Sequence, residues 1–471
     1  MGDDLQVSGG AGGVTAGYED MLAYAGVLDA GGDDVRDKSV RLGGMVVDGD
    51  VLQAAVLCPG EVAGVEAAIT SAAAQALWVG GELEVSSRYL RTSVEALQFV
   101  DEQLANAEEL FWTAAGWAAG GLLPLAALGA AATLLTNPAL AALLLANKDV
   151  LLEELQETLY DQPWLLEALT RMAPGLLQGG AFSLTSLLPG GPLLLAALTG
   201  GAWPSGDYTT SVAGLLALAN RFGLLDDVGE FGVDPVGEPR DLTIDPDHPA
   251  QSLLVLQNRL YSHDARVQVI EVAGDPPSYV VQIPGTQEWG PQRGDNPVDL
   301  TTNVALMAGQ DAIMEQLVAE AMRDAGIPPG AEVMLTGHSQ GGITAMNMAA
   351  DPGIRSEFNV TSVLTAGSPV GRVDVPDGVS VLSVEHVQDV VPMLDGAGNP
   401  DRPDWTTVRR DLDVPADQEN LGRAHGADRY AETGGLGDDS DAPSVVDWRE
   451  DNANFFGSGT LTQYEITPEE P

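Results

Sequence analysis

The chain has 471 residues, of which 45% are hydrophobic, so it is long enough for two or three domains and apolar enough to build real cores. Its formal net charge of −48 repels nucleic acid and anionic lipid headgroups, and neither is expected as a general partner. A single cysteine, Cys58, excludes an intrachain disulfide and a metal site built from several cysteines.

A cleavable signal peptide is not expected at the beginning of the chain. Met1-Gly2-Asp3-Asp4 provides neither the basic stretch nor the apolar run of a cleavable signal peptide. Secretion by a non-classical route, membrane association and a cytoplasmic location therefore stay open as alternatives.

Residues 1–110 are predicted to form a helical, hairpin-like domain. One helix is expected from about Val14 to Leu28, and a second from Val62 to Leu110, where apolar residues recur at mostly three- and four-residue spacing. The segment resembles the Trp-x-Gly family of type VII secretion substrates, whose short motif is matched by Trp78-Val79-Gly80. That resemblance implies a helical partner for this domain, and a generic helical domain is the alternative.

Residues 111–225 form an apolar region rich in Ala, Leu and Gly, for which we expect helices. No charged residue lies between positions 109 and 148, or between positions 171 and 207. The first of these stretches is long enough to cross a bilayer, but Pro124 interrupts it. Buried hydrophobic helices are therefore the first interpretation, and contact with a membrane surface through residues 111–206 is the second.

Residues 226–471 are predicted to form an α/β domain, so the fold class is α/β preceded by an all-α N-terminal region. Strands are predicted at Arg266–Val272, Ser278–Ile283, Glu332–Thr336, Thr361–Thr365, Val379–Val384 and Thr460–Ile466, and helices at Val304–Ala325, Gly342–Ala350 and Val445–Phe456. This alternation is typical of a mostly parallel sheet with helices on both faces.

The strongest chemical signal is a Gly-x-Ser-x-Gly motif. An apolar strand ending at Thr336 leads directly into Gly337-His338-Ser339-Gln340-Gly341, and a helical segment follows. Strand, motif and helix together form the context of a nucleophile elbow, in which the turn is too tight for a side chain at either glycine. Ser339 at the tip would face substrate at a helix N-terminus and is predicted to be a catalytic nucleophile.

A catalytic serine needs a base, which is normally a histidine that follows the acid in a fold of this kind. The chain offers His248, His263, His338, His386 and His425. The first two precede the serine, and His338 lies inside the elbow with its side chain expected to point away. His425, on a late loop, is therefore predicted to be the base, and His386 a satisfied histidine or a neighbour of the site.

The acid that orients the base is predicted to be Asp389. It follows a predicted strand, where an acid at the carboxyl edge of a sheet can reach a histidine on the next loop. Asp374, Asp377, Asp395 and Asp411 are nearby alternatives, although each is more typical of a turn or a solvated loop.

Two donors are expected to stabilise the oxyanion that forms during acyl transfer. One is the backbone N–H of Gln340, directly after the nucleophile. The other should come from the loop after the strand that ends at Ile283, where Thr286 offers an N–H and a hydroxyl.

These motifs resemble the class 3, or fungal-type, lipase family over residues 266–432. The matching segments, in chain order, are Gly285-Thr286, Thr336 to Gly342, Gly367 to Gly371, Asp389-Val390-Val391-Pro392, and His425 followed by Tyr430. The resemblance implies an α/β-hydrolase fold, a Ser-Asp-His triad, and a lid near Glu288 to Leu300 in which Trp289 could contact an acyl chain. Gln340 stands where these lipases usually have leucine.

The sequence thus predicts a serine hydrolase that cleaves carboxylic esters of a lipid or acylglycerol-like kind through an acyl-enzyme. No metal and no organic cofactor is implied. Two alternatives stay open: a type VII-exported effector whose lipase domain is a toxin, and an inactive hydrolase fold kept as a binding protein.

Overall fold

The fold is given by a computed structural model, which divides the chain into two compact units, Val14–Ala107 and Met1–Gly13 with Glu108–Pro471. The structure describes residues 4–10, 14–46, 48–136, 207–226, 229–292, 294–412 and 420–469, and single positions between 160 and 199.

The smaller unit contains α1 (Val14–Met45), α2 (Gly49–Leu57) and the first part of the long α3 (Pro59–Thr136). Helices α1 and α3 pack antiparallel. The hydroxyl of Tyr18 donates to Asp101 at 2.6 Å, and the hydroxyl of Ser39 donates to the carbonyl of Ala73 at 2.7 Å. Contacts that pair early positions of α1 with late positions of α3 show that the two helices run in opposite directions.

Both helices are longer than the sequence patterns indicated. Helix α1 continues through Gly31-Gly32, and Gly32 lies at a close approach to α3, where a Cβ would stand 3.0 Å from the carbonyl oxygen of Gly80. Helix α3 also continues through Pro124, which we expected to interrupt it. The Trp78-Val79-Gly80 motif lies within α3, with Trp78 67% exposed and Gly80 at the helix crossing.

The first part of α3 is apolar and largely exposed. Its segment Pro59–Gln98 is, within the described residues, long and apolar enough to cross a membrane, and only 6% of its most apolar window is buried. Of residues 111–206, for which we considered membrane contact, the part from 137 to 206 lies almost entirely outside the described residues. Membrane contact through that region therefore stays a prediction.

The described residues of the larger unit form a mixed nine-stranded sheet of order β1-β8-β7-β6-β5-β4-β3-β9-β2. The strands are β1 (Asp4–Gly9), β2 (Phe231–Ile244), β3 (Arg266–Val272), β4 (Ser278–Ile283), β5 (Glu332–His338), β6 (Asn359–Ala366), β7 (Ser380–His386), β8 (Trp405–Asp411) and β9 (Gly457–Pro468). Strands β4 to β8 are parallel, and the strands on either side of them are antiparallel.

Helices cover both faces of this sheet. They are α4 (Tyr208–Arg221), α5 (Pro249–Leu260), α6 (Leu300–Met307), α7 (Ile313–Asp324), α8 (Gln340–Ala350), α9 (Pro352–Glu357), α10 (Leu421–Ala424), α11 (Ala427–Asp438) and α12 (Pro443–Asp451). Successive residues of β5 join different cores: Leu335 packs with α7 and α8, whereas Met334 packs with α5, α11 and α12. Because strand side chains alternate between faces, the apolar runs of the central strands are buried on both sides.

The predicted central strands are confirmed, and the predicted α/β class is confirmed as a mixed sheet with flanking helices. The expected single helix from Val304 to Ala325 was wrong: two helices form, separated near Gly309, whose φ of 62° is left-handed. Strands β1, β2 and β8 were not expected. Strand β1 pairs with the outer edge of β8, so the first residues of the chain complete the sheet.

Candidate active site

The centre of the site is the turn between β5 and α8. Strand β5 ends at His338, α8 begins at Gln340, and Ser339 stands between them with φ 56° and ψ −124°. Positive φ is uncommon for a residue with a side chain and marks stored backbone strain, which is frequent at functional sites. The N–H of Ser339 donates to the carbonyl of Ala366 at 2.8 Å, which fixes the turn to the end of β6.

The glycines of the motif are required by contact. A Cβ on Gly337 would collide with the backbone of Gly341, and a Cβ on Gly341 would collide with the carbonyl of Ile283 on β4. The turn therefore closes only because both side chains are absent. The prediction that the elbow needs glycine at these two positions rests on the same steric argument.

The structure brings the predicted base and acid together. Nδ1 of His425 lies 2.6 Å from Oδ2 of Asp389, although 35 residues separate them in the chain. Because an ionised carboxylate only accepts, Nδ1 carries the proton and Nε2 is left as the basic nitrogen. The ring of His425 stands 4.6 Å, centroid to centroid, from that of His338, the residue before Ser339. The loop that contains His425, the end of β7 and the elbow thus meet at one edge of the sheet.

Asp389 is fully buried and held by three donors. Oδ2 accepts from His425 and from the hydroxyl of Tyr430 at 2.6 Å, and Oδ1 accepts from the N–H of Val391 at 2.9 Å. Donors to an ionised carboxylate compensate for the loss of water around a buried charge. The sequence placed Tyr430 after the histidine but gave it no role.

The alternative acids have other partners. Asp377 and Asp374 lie 3.2 Å and 4.0 Å from the guanidinium of Arg402, and Asp411 accepts from the side chain of Gln388. Asp395 accepts from the backbone N–H groups of Arg372 and Ala397. Asp389 alone among these candidates contacts His425 in the described structure.

Two further histidines support the loop of His425. Nε2 of His338 lies 3.0 Å from the carbonyl of His425, and Nδ1 of His386 lies 2.7 Å from the carbonyl of Ala424. Both donate there, since a carbonyl only accepts. Burial lowers the pKa of both, to about 4 for His386, so both rings are neutral. The expected role of His338 as packing alone was incomplete.

The predicted oxyanion loop lies beside the elbow. Gln340 and Thr286 are both buried, and Thr286 lies in the loop that follows β4. The hydroxyl oxygen of Thr286 accepts from Nδ2 of Asn303 at 2.7 Å, which directs its own proton to another acceptor. Asn303, on α6, was not found from sequence, because its partner lies across a loop and no motif marks it.

The predicted lid segment runs between β4 and α6. Its ends are joined, because the N–H groups of Gln287 and Glu288 both donate to the carbonyl of Val298, at 2.8 and 3.2 Å. Trp289, for which contact with an acyl chain and packing as an ordinary aromatic were equal expectations, is 62% exposed. The side-chain amide of Gln340 donates to the carbonyl of Asp299 at 2.7 Å, which ties the base of this segment to the elbow.

A cavity of about 240 Å³ adjoins the elbow helix. Its apolar wall includes Leu306, Ile343 and Pro369, and its polar wall includes Arg372 and Asp395. Ser339, Asp389 and His425 are not among its lining residues, whereas Ile343, four residues after Ser339 on α8, is. It is smaller than the pockets that usually bury a drug-sized ligand, which occupy roughly 300–1,000 Å³.

Among the described residues, no group of three or more His, Cys, Asp and Glu side chains is arranged to hold a metal ion. Comparisons of the chain with protein-family models, with curated proteins and with solved structures found no match.

Proposed function

We propose that this protein is a serine hydrolase of the α/β-hydrolase type that cleaves carboxylic esters, with Ser339, His425 and Asp389 as its catalytic triad. The observation that carries the proposal is the 2.6 Å hydrogen bond from Nδ1 of His425 to the buried Asp389, next to a strained serine at a strand-to-helix turn. The lipase-like motifs of the sequence support the same assignment.

The first half of the reaction forms an acyl-enzyme. Nε2 of His425 accepts the proton of the Ser339 hydroxyl while Oγ of Ser339 attacks the ester carbonyl carbon. The negative charge that develops on the carbonyl oxygen is stabilised by the N–H of Gln340 and by Thr286. The intermediate then collapses, the bond to the alkoxy oxygen breaks, and His425 gives its proton to the departing alcohol.

The second half regenerates the enzyme. His425 removes a proton from water, the hydroxide attacks the acyl carbon, and Ser339 leaves with the proton returned by His425. Throughout, Asp389 stays ionised and stabilises the imidazolium that forms twice in each cycle.

The substrate is an ester whose acyl group is short or of medium length. We assign the acyl chain to the 240 Å³ cavity beside α8, because its apolar wall of Leu306, Ile343 and Pro369 favours a hydrocarbon. The exposed Trp289 supports contact with a substrate that is presented at an interface.

Covalent labelling tests this assignment directly. A fluorophosphonate reacts with an activated serine, and we expect one adduct, which peptide mass spectrometry places on Ser339. Ser339→Ala and His425→Ala should both abolish the adduct, the second because the serine then has no base. Labelling at another residue, or none with a folded protein, would favour the non-catalytic binding protein.

A further inference from the structure

A series of contacts, two of them hydrogen bonds, connects the oxyanion loop with the loop of His425. The hydroxyl of Tyr261 packs against the backbone of Gly285 on the oxyanion loop. The hydroxyl of Tyr261 lies 2.5 Å from Nδ1 of His338. On the other side of the ring, Nε2 of His338 lies 3.0 Å from the carbonyl of His425. Two groups, Tyr261 and His338, therefore lie between the two halves of the proposed active site.

The proton positions along this series of contacts are determined. The carbonyl of His425 can only accept, so Nε2 of His338 carries a proton. Burial lowers the pKa of His338, the ring is neutral, and Nδ1 therefore accepts from the hydroxyl of Tyr261. Burial of that hydroxyl raises the pKa of Tyr261, so it keeps its proton to donate, although the residue as a whole is 38% exposed. Every donor in the series then has one acceptor.

The hydroxyl and the ring of Tyr261 are both tightly packed. A Cβ on Gly285 would collide with the hydroxyl of Tyr261 and with the carbonyl of His338. The hydroxyl is therefore wedged against the oxyanion loop as well as bonded to the histidine. The rings of Tyr261 and His338 meet edge to face with centroids 5.6 Å apart, which restricts the orientation of the imidazole further.

His386 holds the neighbouring carbonyl of the same loop but does not connect it to the oxyanion side. Its Nδ1 donates to Ala424, its Nε2 lies 2.7 Å from the hydroxyl of Thr433, and its ring stacks on Tyr430 at 3.9 Å. Consecutive carbonyls, of residues 424 and 425, are thus each held by a buried neutral histidine. Only the one held by His338 continues through Tyr261 to Gly285.

We propose that Tyr261 and His338 are positioning residues that hold the oxyanion loop and the loop of His425 in a fixed relative position. The proposal rests on the proposed function of the site. Tyr261 acts by selecting the tautomer of His338 that has its proton on Nε2. Without the Tyr261 hydroxyl, His338 can carry its proton on Nδ1 instead, and the carbonyl of His425 loses its donor.

The test is Tyr261→Phe, which removes one oxygen atom and keeps the ring. We expect kcat for p-nitrophenyl butyrate to fall about tenfold or more, the effect of one lost hydrogen bond, with KM within about twofold. The low-field proton resonance of Nδ1 of His425, which reports its bond to Asp389, should broaden or disappear. Tyr279→Phe is the matched control, because Tyr279 is also buried, on β4, and takes no part in the contacts of Tyr261 and His338.

A second pair of variants separates positioning from folding. His338→Gln keeps an amide that can both donate and accept, whereas His338→Leu keeps neither function. We expect the glutamine variant to retain several-fold more kcat than the leucine variant at equal melting temperature. Wild-type kcat and an unchanged resonance in Tyr261→Phe, or an equal loss in Tyr279→Phe, would overturn the proposal. A wild-type protein that cleaves no ester would refute the proposed function, while the resonance would still test the coupling.

Discussion

The hydroxyl of Tyr430 donates to Oδ2 of Asp389 at 2.6 Å, and that oxygen is the one that also accepts from His425. Tyr430 is fully buried at the start of α11, and Asp389 follows β7. The tyrosine therefore shares one acceptor oxygen with the histidine and fixes the rotation of the carboxylate. Burial and the nearby Asp389 charge raise the pKa of Tyr430 well above its ordinary value, which keeps the hydroxyl a donor.

Tyr430→Phe is expected to lower kcat/KM about tenfold, because a hydrogen bond to a charged acceptor contributes about 1.5–3 kcal/mol and two donors to Asp389 remain. Steady-state hydrolysis of a p-nitrophenyl ester measures the effect. Tyr464→Phe, a change in another buried tyrosine on β9, serves as the control and should leave the rate unaltered. Equal rates for wild type and Tyr430→Phe would show that the hydroxyl does not orient the acid.

Thr286→Val tests the oxyanion loop. The substitution keeps the shape and the backbone N–H but removes the hydroxyl that Asn303 orients. We expect kcat to fall about a hundredfold with KM little changed, since loss of one oxyanion donor typically costs a factor of 10²–10³. Thr286→Ser retains the hydroxyl and should stay within a few-fold of wild type. If valine and serine variants have the same kcat, the hydroxyl is not a donor in the transition state.

Gly337→Ala tests the steric basis of the elbow. The added Cβ would overlap the backbone of Gly341, and neither segment can move without disrupting β5 or α8. We expect the free energy of unfolding to fall by roughly 3 kcal/mol or more, measured by urea denaturation followed by tryptophan fluorescence. Gly398→Ala is the control, because a Cβ there meets no atom within 4 Å. A stable Gly337→Ala protein would contradict the described turn.

Glu385 gives a prediction for the pH dependence of stability. Burial raises its pKa from 4.5 to about 7, despite the nearby Arg409 and a hydrogen bond from Asn399. The folded protein binds this proton more tightly than the unfolded chain does. Protonation of Glu385 therefore contributes fully to the free energy of unfolding below about pH 4.5, and this contribution is lost as pH rises through about 7. We expect Glu385→Gln to gain stability relative to wild type between these pH values, by at most about 3 kcal/mol.

Melting temperatures at about pH 5 and about pH 8 measure this difference. Glu320→Gln, an exposed substitution on α7, is the control and should show the wild-type difference between the two conditions. If Glu385→Gln also shows the wild-type difference, the carboxyl of Glu385 does not titrate in this range in the folded state.

The order of motifs made part of the site predictable. Ser339 is marked locally by a strand, two glycines and a helix, which lie within a few residues of each other and whose geometry follows from sterics. Asp389 and His425 were chosen by their positions after a strand and on a late loop, and the structure places them in contact. Strands β4 to β7 were equally predictable, because strands buried on both faces are rich in apolar residues. Strand β8 was missed, since its Thr and Arg residues give no apolar run.

Other parts depend on contacts that carry no local pattern. Tyr261 and His338 are hydrogen-bonded although they lie 77 positions apart in the sequence. The sequence around each of them does not distinguish it from an ordinary packed core residue. Strand β1 consists of six residues with no periodicity long enough to recognise, and it forms only because β8 offers an open edge. Helix α1 continues past two glycines because its packing against α3 outweighs their low helix propensity.

The most direct test of the proposed function is hydrolysis of p-nitrophenyl esters of increasing acyl length by the purified chain, beside Ser339→Ala. We expect the wild type to hydrolyse short and medium acyl esters best and the variant to lose at least about a thousandfold in kcat, as expected when the nucleophile is removed. A folded wild type that hydrolyses none of the esters, with detergent present, or a Ser339→Ala variant with equal activity, would contradict the assignment of Ser339 as the nucleophile of an esterase.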